Sequence, residues 1–334
     1  MDIFLILEWV IKAGILLLFC VAGFAYLTFY ERRALARMQV RIGPNRAGPS
    51  GWFQPMADGI KLIFKEELIP AQAYKIVFLL APMITVFPAL VIMAVIPWGT
   101  SITLFGREIQ LYITDINVGV LYLVSISSIA VYGIVLAGWS SNNKYAMMGG
   151  LRASAQMISY ELALGLALIG PIMIAGSMSL LDIVEAQNPV WFIIYQPVGA
   201  IIFFIAAVAE INRAPFDMPE AEQELTAGYH VEYSGMKFAL FFMAEYVKMI
   251  AVSAIGASIF LGGFRGPFVD QLPILGPFYL FFKIMVLLFG LIWLRATFPR
   301  LRYDRLMAFG WKILLPVALA NVFLTAVIIV LVGG

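Results

Sequence analysis

The chain has 334 residues, of which 62% are hydrophobic and only 13% are charged. A soluble protein carries about 25% charged residues, so this composition excludes an ordinary soluble domain. Uncharged stretches long enough to cross a bilayer as a helix, about 20 residues each, recur along the whole chain. The sequence therefore predicts an all-α, polytopic membrane protein.

Eight apolar stretches are predicted to be transmembrane helices, because unpaired backbone groups are not tolerated in lipid. Their approximate bounds are 3–29, 75–97, 117–138, 156–177, 190–211, 237–261, 277–297 and 311–332. Of the 22 Lys and Arg residues, 17 lie in or beside the odd-numbered loops and two in the even-numbered loops. By the positive-inside rule, the odd loops are cytoplasmic and both termini lie on the outer face. The chain, 1–334, is predicted to form a single integral membrane domain.

The first loop contains a helical pattern of its own. Apolar residues recur at helical spacing between residues 52 and 66, whereas Asp58, Lys61 and Lys65 fall on another face. This pattern favours an amphipathic helix that lies in the cytoplasmic interface of the membrane. A helix that caps the ends of the membrane helices would show the same pattern.

Ligands for redox centres are missing from the sequence. The chain has one cysteine, Cys20, and one histidine, His230. An intrachain disulfide is therefore impossible, and the cysteine set of an iron–sulfur cluster is absent. A Walker loop and a dinucleotide-binding glycine pattern are also absent. The chain is predicted to carry no metal site and no redox centre of its own.

Seven of the 20 acidic residues are concentrated between positions 210 and 245. They are Glu210, Asp217, Glu220, Glu222, Glu224, Glu232 and Glu245. Neighbouring carboxylates raise one another's pKa, so such a cluster can store and pass protons, although a simple solvated loop is the alternative. The prolines and apolar residues of segment 211–219, together with Arg213, predict that this part folds back into the protein.

Three carboxylates lie at or within apolar helices, namely Glu161, Glu210 and Glu245. Intramembrane acids are costly and usually mark a proton or ion path. A local ion pair is the alternative, and it is strongest for Glu245, because Lys248 lies three residues further on the same helical face. Lys283 also lies within an apolar stretch and has no obvious partner in the sequence; we expect it to pair with an acid from another helix or with a neighbouring subunit.

Basic residues end two of the helices. The first helix is followed by Arg32 and Arg33, and the seventh by Arg295, Arg300, Arg302 and Arg305. For most of the arginines after the seventh helix, the simplest interpretation is that they anchor it by extending toward the membrane surface.

Five long motifs are distributed along the chain. They are ERRALARMQVRIGPN at 31–45, QPMADGIKL at 54–62, RASAQMISYE at 152–161, the segment 209–235 and YDRLM at 303–307. These motifs resemble the H-subunit family of bacterial NADH-quinone oxidoreductase, the counterpart of mitochondrial complex I subunit 1. The resemblance runs from one end of the chain to the other.

The resemblance implies a membrane-arm subunit that forms much of the quinone chamber. Quinone would be its substrate, no cofactor would be covalently bound, and FMN and iron–sulfur clusters would belong to partner subunits. The implied partners are the other subunits of the complex, including the iron–sulfur-bearing peripheral subunits, with membrane lipid and quinone but no nucleic acid. The implied location is the bacterial plasma (inner) membrane.

The resemblance also assigns roles to individual residues. The quinone chamber or its rim would include Glu31, Arg32, Arg41, Arg213 and Phe216. The acidic coupling loop would consist of Asp217, Glu220, Glu222, Glu224 and Glu232, and the buried proton path would begin with Glu161, Glu210 and Glu245. Two other functions stay open: the equivalent subunit of a membrane-bound hydrogenase-type complex, and a stand-alone proton-coupled carrier, against which the lack of an internal repeat argues.

Overall fold

The computed structural model describes residues 3–104, 107–217 and 228–333. Helices dominate this part of the chain. Their bounds are α1 Ile3–Met38, α2 Gln54–Phe64, α3 Lys75–Ile92, α4 Gly119–Ser140, α5 Lys144–Ala175, α6 Leu180–Ala186, α7 Phe192–Tyr195, α8 Pro197–Glu210, α9 Gly235–Phe260, α10 Leu275–Thr297, α11 Tyr303–Phe309 and α12 Leu315–Gly333. A π-helical stretch, Gly310–Leu314, joins α11 to α12.

Seven helical stretches within the described residues are long and apolar enough to cross a membrane. They correspond to seven of the eight predicted spans. The fifth prediction, 190–211, is divided between α7 and α8, and α8 has only 14 residues. At 1.5 Å per residue α8 is about 21 Å long, less than the roughly 30 Å of a hydrocarbon core. The predicted helical membrane fold is confirmed, whereas the count of eight spans stays a prediction.

Two helices are longer than predicted. Helix α1 continues to Met38 although the prediction ended at residue 29, and α5 begins at Lys144 rather than at residue 156. The added turns carry charges, which suggested loops in the sequence. They stay helical because one face of each is packed: Ala36 and Ala146 are completely buried. The Asn143 side chain also caps α5 by accepting a hydrogen bond from the Tyr145 amide at 3.0 Å.

A small β-hairpin lies in the second loop, where the sequence predicted no regular structure. Its strands are β1 Ser101–Leu104 and β2 Arg107–Gln110. They pair antiparallel, with Ser101 opposite Gln110 and Leu104 opposite Arg107. Strands of four residues are too short to stand out in a hydropathy pattern.

The helices pack most closely where side chains are small. Helix α9 is central, since it contacts α1, α3, α8 and α10 and is almost continuously buried from Tyr246 to Phe260. Between α3 and α4, a Cβ atom at Gly133 would lie 2.1 Å from Oγ1 of Thr85, so only glycine permits this approach. Close packing of this kind holds helices together in lipid, where apolar surfaces gain little from association.

A polar contact joins α12 to the break before α8. The Gln196 side-chain amide donates to Oγ1 of Thr325 at 2.7 Å, and the Asn321 amide donates to Oε1 of Gln196 at 3.1 Å. In these three residues, the Gln196 cluster, the polar side chains satisfy one another inside the helix bundle.

Helix α2 confirms the helix predicted for 52–66, with bounds two residues shorter at each end. Its Asp58 carboxylate accepts a hydrogen bond from Arg32 of α1 at 2.7 Å, which ties the two helices together. The apolar face is not covered by the residues that the structure describes, since Met56 and Ile63 are each 60% exposed. An uncovered apolar face fits an interfacial helix and disagrees with a cap packed on helix ends.

Candidate functional site

The segment after α8 folds back into the protein, as predicted from its prolines and apolar residues. Phe216 is buried against the ring of Tyr160, with a centroid separation of 5.4 Å. The amide nitrogen of the Gln156 side chain, on α5, is 2.9 Å from the carbonyl oxygen of Ala209 and 2.8 Å from that of Phe216. These contacts fix the backbone on both sides of Arg213.

Arg213 is the centre of a buried charge cluster. Its guanidinium is 3.0 Å from Glu31 of α1, contacts Glu245 of α9, and lies 4.5 Å from the ring centroid of Tyr246. Burial by itself lowers the pKa of Arg213, but the carboxylates of Glu245 and Glu31 outweigh it and raise the pKa above its ordinary value. Arg213 is therefore a permanent cation that joins two membrane helices.

Glu31 has a second cationic partner, Arg295 at the end of α10. The prediction that the arginines after the seventh helix are mostly membrane anchors is wrong for Arg295, because its guanidinium reaches a carboxylate that is only 2% exposed. An arginine in the last turn of a helix looks the same in the sequence whether it anchors the helix at the membrane surface or pairs with a buried carboxylate. The sequence analysis therefore missed the role of Arg295. We call Glu31, Arg213, Glu245 and Arg295 the arginine cluster.

A second ion pair lies deeper along α9. Nζ of Lys248 is 2.9 Å from the carboxylate of Glu210 and 3.3 Å from the Glu210 carbonyl oxygen. The alternative of a local ion pair between Glu245 and Lys248 is therefore wrong. Each of these two residues instead pairs with a residue at or just after the end of α8, because an uncompensated buried charge is costly and the tertiary fold brings these partners within reach.

Glu161, on α5, is hydrogen-bonded to the hydroxyl of Ser128 on α4. It also lies within electrostatic range of Glu210 and Lys248. The three carboxylates predicted at or within apolar helices are thus arranged in order, with Glu245 next to Arg213, Glu210 next to Lys248, and Glu161 beyond them.

The acidic loop is described only at its two ends. Asp217 accepts a hydrogen bond from Arg300 at 3.0 Å. Burial raises the pKa of Asp217 above its ordinary value, and Arg300 opposes that shift. Glu232 accepts a hydrogen bond from the Asn143 side chain at 2.7 Å. The predicted residues Glu220, Glu222 and Glu224 lie outside the described residues.

The structure does not bring every residue assigned by resemblance to the arginine cluster. Arg32 is exposed and pairs with Asp58. Arg41 is exposed and donates to the side chain of Gln39 at 2.7 Å. Lys283, for which an acid was expected, instead donates at 2.7 Å to the carbonyl oxygens of Gly263 and Arg265.

An open apolar groove of about 870 Å³ runs between α1 and α10. Most of its lining is aromatic and aliphatic, and Ile250 of α9 and Trp52 also contribute. Arg33 and Arg37 line it as well, near the end of α1.

A small cavity of about 10 Å³ is lined by Glu31, Arg213 and Arg295. It lies beside the same two helices as the groove, since Glu31 belongs to α1 and Arg295 to α10. Within the part of the chain that the structure describes, Oε2 of Glu31 is buried and has no hydrogen-bond partner.

These features define a polytopic helical membrane protein with an apolar groove and a buried series of carboxylates paired with cations. The chain matches the NADH dehydrogenase family over residues 11–326 and belongs to it. Curated relatives are named as the H subunit of NADH-quinone oxidoreductase, an enzyme complex.

The relatives match over nearly their whole length. The chain is 54% identical to the protein from Protochlamydia amoebophila over 302 residues, which cover 90% of this chain and 91% of the relative. It is 52% identical to the protein from Thermomicrobium roseum over 314 residues, which cover 91% of each chain. A relative from Geobacter metallireducens, an H subunit that carries the number 1, is 52% identical over 308 residues, or 92% of each chain.

Proposed function

We propose that this chain is the membrane-arm subunit of a proton-pumping NADH-quinone oxidoreductase, and that it forms much of the quinone chamber and couples quinone reduction to proton translocation. The observation that carries the proposal is the position of Glu31. It lies on α1, the helix that lines the apolar groove, and it shares the Arg213 cation with Glu245 in the interior.

The groove suits the isoprenoid tail of a quinone. Its volume of about 870 Å³ is within the range of about 300–1,000 Å³ that is usual for ligand sites. Its walls are mostly apolar, and both α1 and α10 are membrane-spanning helices, so the groove opens toward lipid. A hydrophobic substrate dissolved in the bilayer would enter from that side.

The polar end of the site lies at the arginine cluster. Quinone reduction consumes two electrons and two protons, and the electrons would come from an iron–sulfur cluster of a partner subunit. Arg213 and Arg295 supply positive charge that stabilises the negative charge which arrives with the electrons. The unpartnered Oε2 of Glu31 is available to accept a hydrogen bond from a group bound there.

Charge near the arginine cluster would be transmitted by electrostatics. One unit charge at about 4 Å and an effective dielectric near 20 is worth about 4 kcal/mol, which is several pKa units before solvent screening. A change in the charge near Glu31 would therefore alter the protonation of Glu245 through their common partner Arg213. Glu245, Glu210 and Glu161 then form the proposed proton path, and the acidic loop from Asp217 to Glu232 completes the proposed coupling region.

The test is to replace Glu161, Glu210 and Glu245 singly with Gln, which keeps the shape and removes the ability to ionise. The matched control is Glu8→Gln, since Glu8 is also paired with a lysine on a membrane helix, Lys12, but lies far along α1 from the cluster. We expect assembled complexes in which quinone reduction and proton pumping both fall, whereas the control retains both. Full activity and unchanged pumping in all three variants would leave only structural ion pairs.

The membrane orientation proposed with this function places both termini on the outer, periplasmic face of the inner membrane. The cytoplasmic side then contains α2, the arginine cluster and the acidic loop. This is the side from which peripheral iron–sulfur subunits would approach. Purification separates this proposal from a stand-alone carrier, since the proposed subunit would come with iron–sulfur proteins and a carrier would come alone.

A further inference from the structure

The Glu210–Lys248 ion pair separates two small cavities inside the helix bundle. Both residues line each cavity, and each cavity has a volume of about 30 Å³. A cavity needs about 10–15 Å³ to accept a water molecule, so each one has room for water. The two side chains are only 6% and 10% exposed, and together they form the common wall.

The two cavities differ in depth and in polarity. The first is also lined by Glu245, Asn212 and Tyr229, near the beginning of α9. The second is lined by Val252 and Ile255, one to two turns further along α9, and its other walls are apolar except for Ser127. Passage from the first cavity to the second therefore leads past Glu210 and Lys248.

Lys248 is held at this wall by two bonds of different kinds. Its ammonium contacts the Glu210 carboxylate at 2.9 Å and the Glu210 carbonyl oxygen at 3.3 Å. The carboxylate bond is weakened when Glu210 takes up a proton, but the carbonyl bond is not. The ammonium would therefore stay at the end of α8 throughout a cycle in which Glu210 changes its charge.

We propose that Lys248 is a positioning residue for proton transfer, one that holds the Glu210 carboxylate between the two cavities as the proton acceptor and closes the direct passage of water from one cavity to the other. The inference rests on the proposed function. Glu245 first takes up a proton from the side of the arginine cluster; that proton then leaves its carboxyl group through the first cavity and binds Glu210, and the Glu245 carboxylate pairs with Arg213 again. Glu210 then releases the same proton through the second cavity toward Glu161.

The titratable groups that face Lys248 within the described residues come from several packed elements. They are Glu210 of α8, Glu161 of α5, Glu245 of α9 itself and Tyr229 before α9. Helices α3 and α4 contribute Thr85 and Ser127, which do not titrate in the working range of pH. Glu210 is the closest of these groups, so loss of the lysine charge acts first on Glu210.

The experiment uses the whole complex reconstituted in liposomes, with turnover and protons pumped per NADH measured from acid to alkaline pH. Lys248→Met should move the acid limb of the pH profile upward by at least about one unit, which is about a tenfold loss of turnover at a fixed pH on that limb. It should also lower the pumping ratio. Lys248→Arg should retain the acid limb of the wild-type pH profile, because the positive charge is kept.

Lys283→Met is the matched control, since Lys283 is as buried as Lys248 but its ammonium binds carbonyl oxygens and the ring of Trp191, and pairs with no carboxylate among the described residues. This variant should leave the acid limb of the pH profile unchanged. The double variant Lys248→Met/Glu210→Gln should show no shift relative to Glu210→Gln. If Glu210→Gln impairs pumping but Lys248→Met leaves the limb unmoved, the inference is overturned and the proposed function stands. If Glu210→Gln has no effect on pumping, Glu210 is not on the proton path and both proposals fail at that residue.

Discussion

Replacing Arg213 with Gln should destabilise the subunit by about 3–5 kcal/mol, the usual cost of removing one partner from a buried ion pair. The side chains of Glu31 and Glu245 are only 3% and 11% exposed, and both pair with this guanidinium, which Glu31 shares with Arg295 as a second partner. At about 4 Å and an effective dielectric near 20, each attraction is worth about 4 kcal/mol, most of which offsets the desolvation of the charges. The substitution removes the attraction and leaves the desolvation uncompensated.

The matched control is Arg300→Gln. Arg300 pairs with one carboxylate among the described residues, Asp217, at the same 3.0 Å that separates Arg213 from Glu31, but its side chain is 33% exposed. Because water replaces the lost partner at such a site, the expected cost is below about 1 kcal/mol. The two variants thus compare the loss of an arginine that pairs with carboxylate at a buried position and at a partly exposed one.

Thermal inactivation of NADH-driven quinone reduction in membranes, normalised to the amount of assembled complex, measures both variants. Arg213→Gln should lower the inactivation temperature by several degrees more than Arg300→Gln. The double variant Arg213→Gln/Glu245→Gln should recover part of that loss, since it leaves one uncompensated carboxylate fewer. Equal inactivation temperatures for the two single variants would refute the view that Arg213 holds the buried cluster together.

Three further predictions concern the membrane orientation, the acidic loop and the effect of pH. A cysteine introduced at Asp270 should react with an impermeant thiol reagent from the outer face, whereas one at Arg46 should react only from the cytoplasmic face; the reverse pattern would contradict the proposed orientation. Asp217→Asn should lower quinone turnover per assembled complex more than Asp182→Asn, whose carboxylate lies in the fourth loop, and equal small losses would indicate a merely solvated acidic loop. Burial lowers the pKa of His230 from 6.5 to about 4, so unfolded chains bind more protons between these values, and stability should fall by up to about 3 kcal/mol as the pH drops through that window. His230→Phe should remove this dependence from thermal-inactivation profiles.

The membrane helices could be predicted because hydropathy is a local property. Seven spans follow directly from apolar stretches of sufficient length. The predicted ends of α1 and α5 were wrong because charged residues suggested loops, whereas those turns stay helical and pack one face on neighbouring elements. The break at Gln196 was also missed, since apolar residues on both sides of it gave one continuous stretch.

The residue types of the site could be predicted, but their partners could not. Intramembrane carboxylates indicated Glu161, Glu210 and Glu245 without any knowledge of the fold. Helical spacing then suggested a pair between Glu245 and Lys248, and the structure pairs each with a residue on or just after α8. Pairing of buried charges is set by which helices meet, and this information does not reside in any local stretch of the sequence.

The Gln196 cluster has a consequence for the rotation of α12 about its own axis. Lipid is as apolar as the side chains of this helix, so hydrophobic contact alone gives little preference for one rotational setting over another. Asn321 and Thr325 are four residues apart and therefore share one face. A rotation by a single residue, about 100°, would carry both away from Gln196 and leave the side-chain amides of Gln196 and Asn321 unsatisfied in hydrocarbon, whereas the Thr325 hydroxyl would keep its bond to the Asn321 carbonyl oxygen. The Gln196 cluster thus favours one rotational setting of α12.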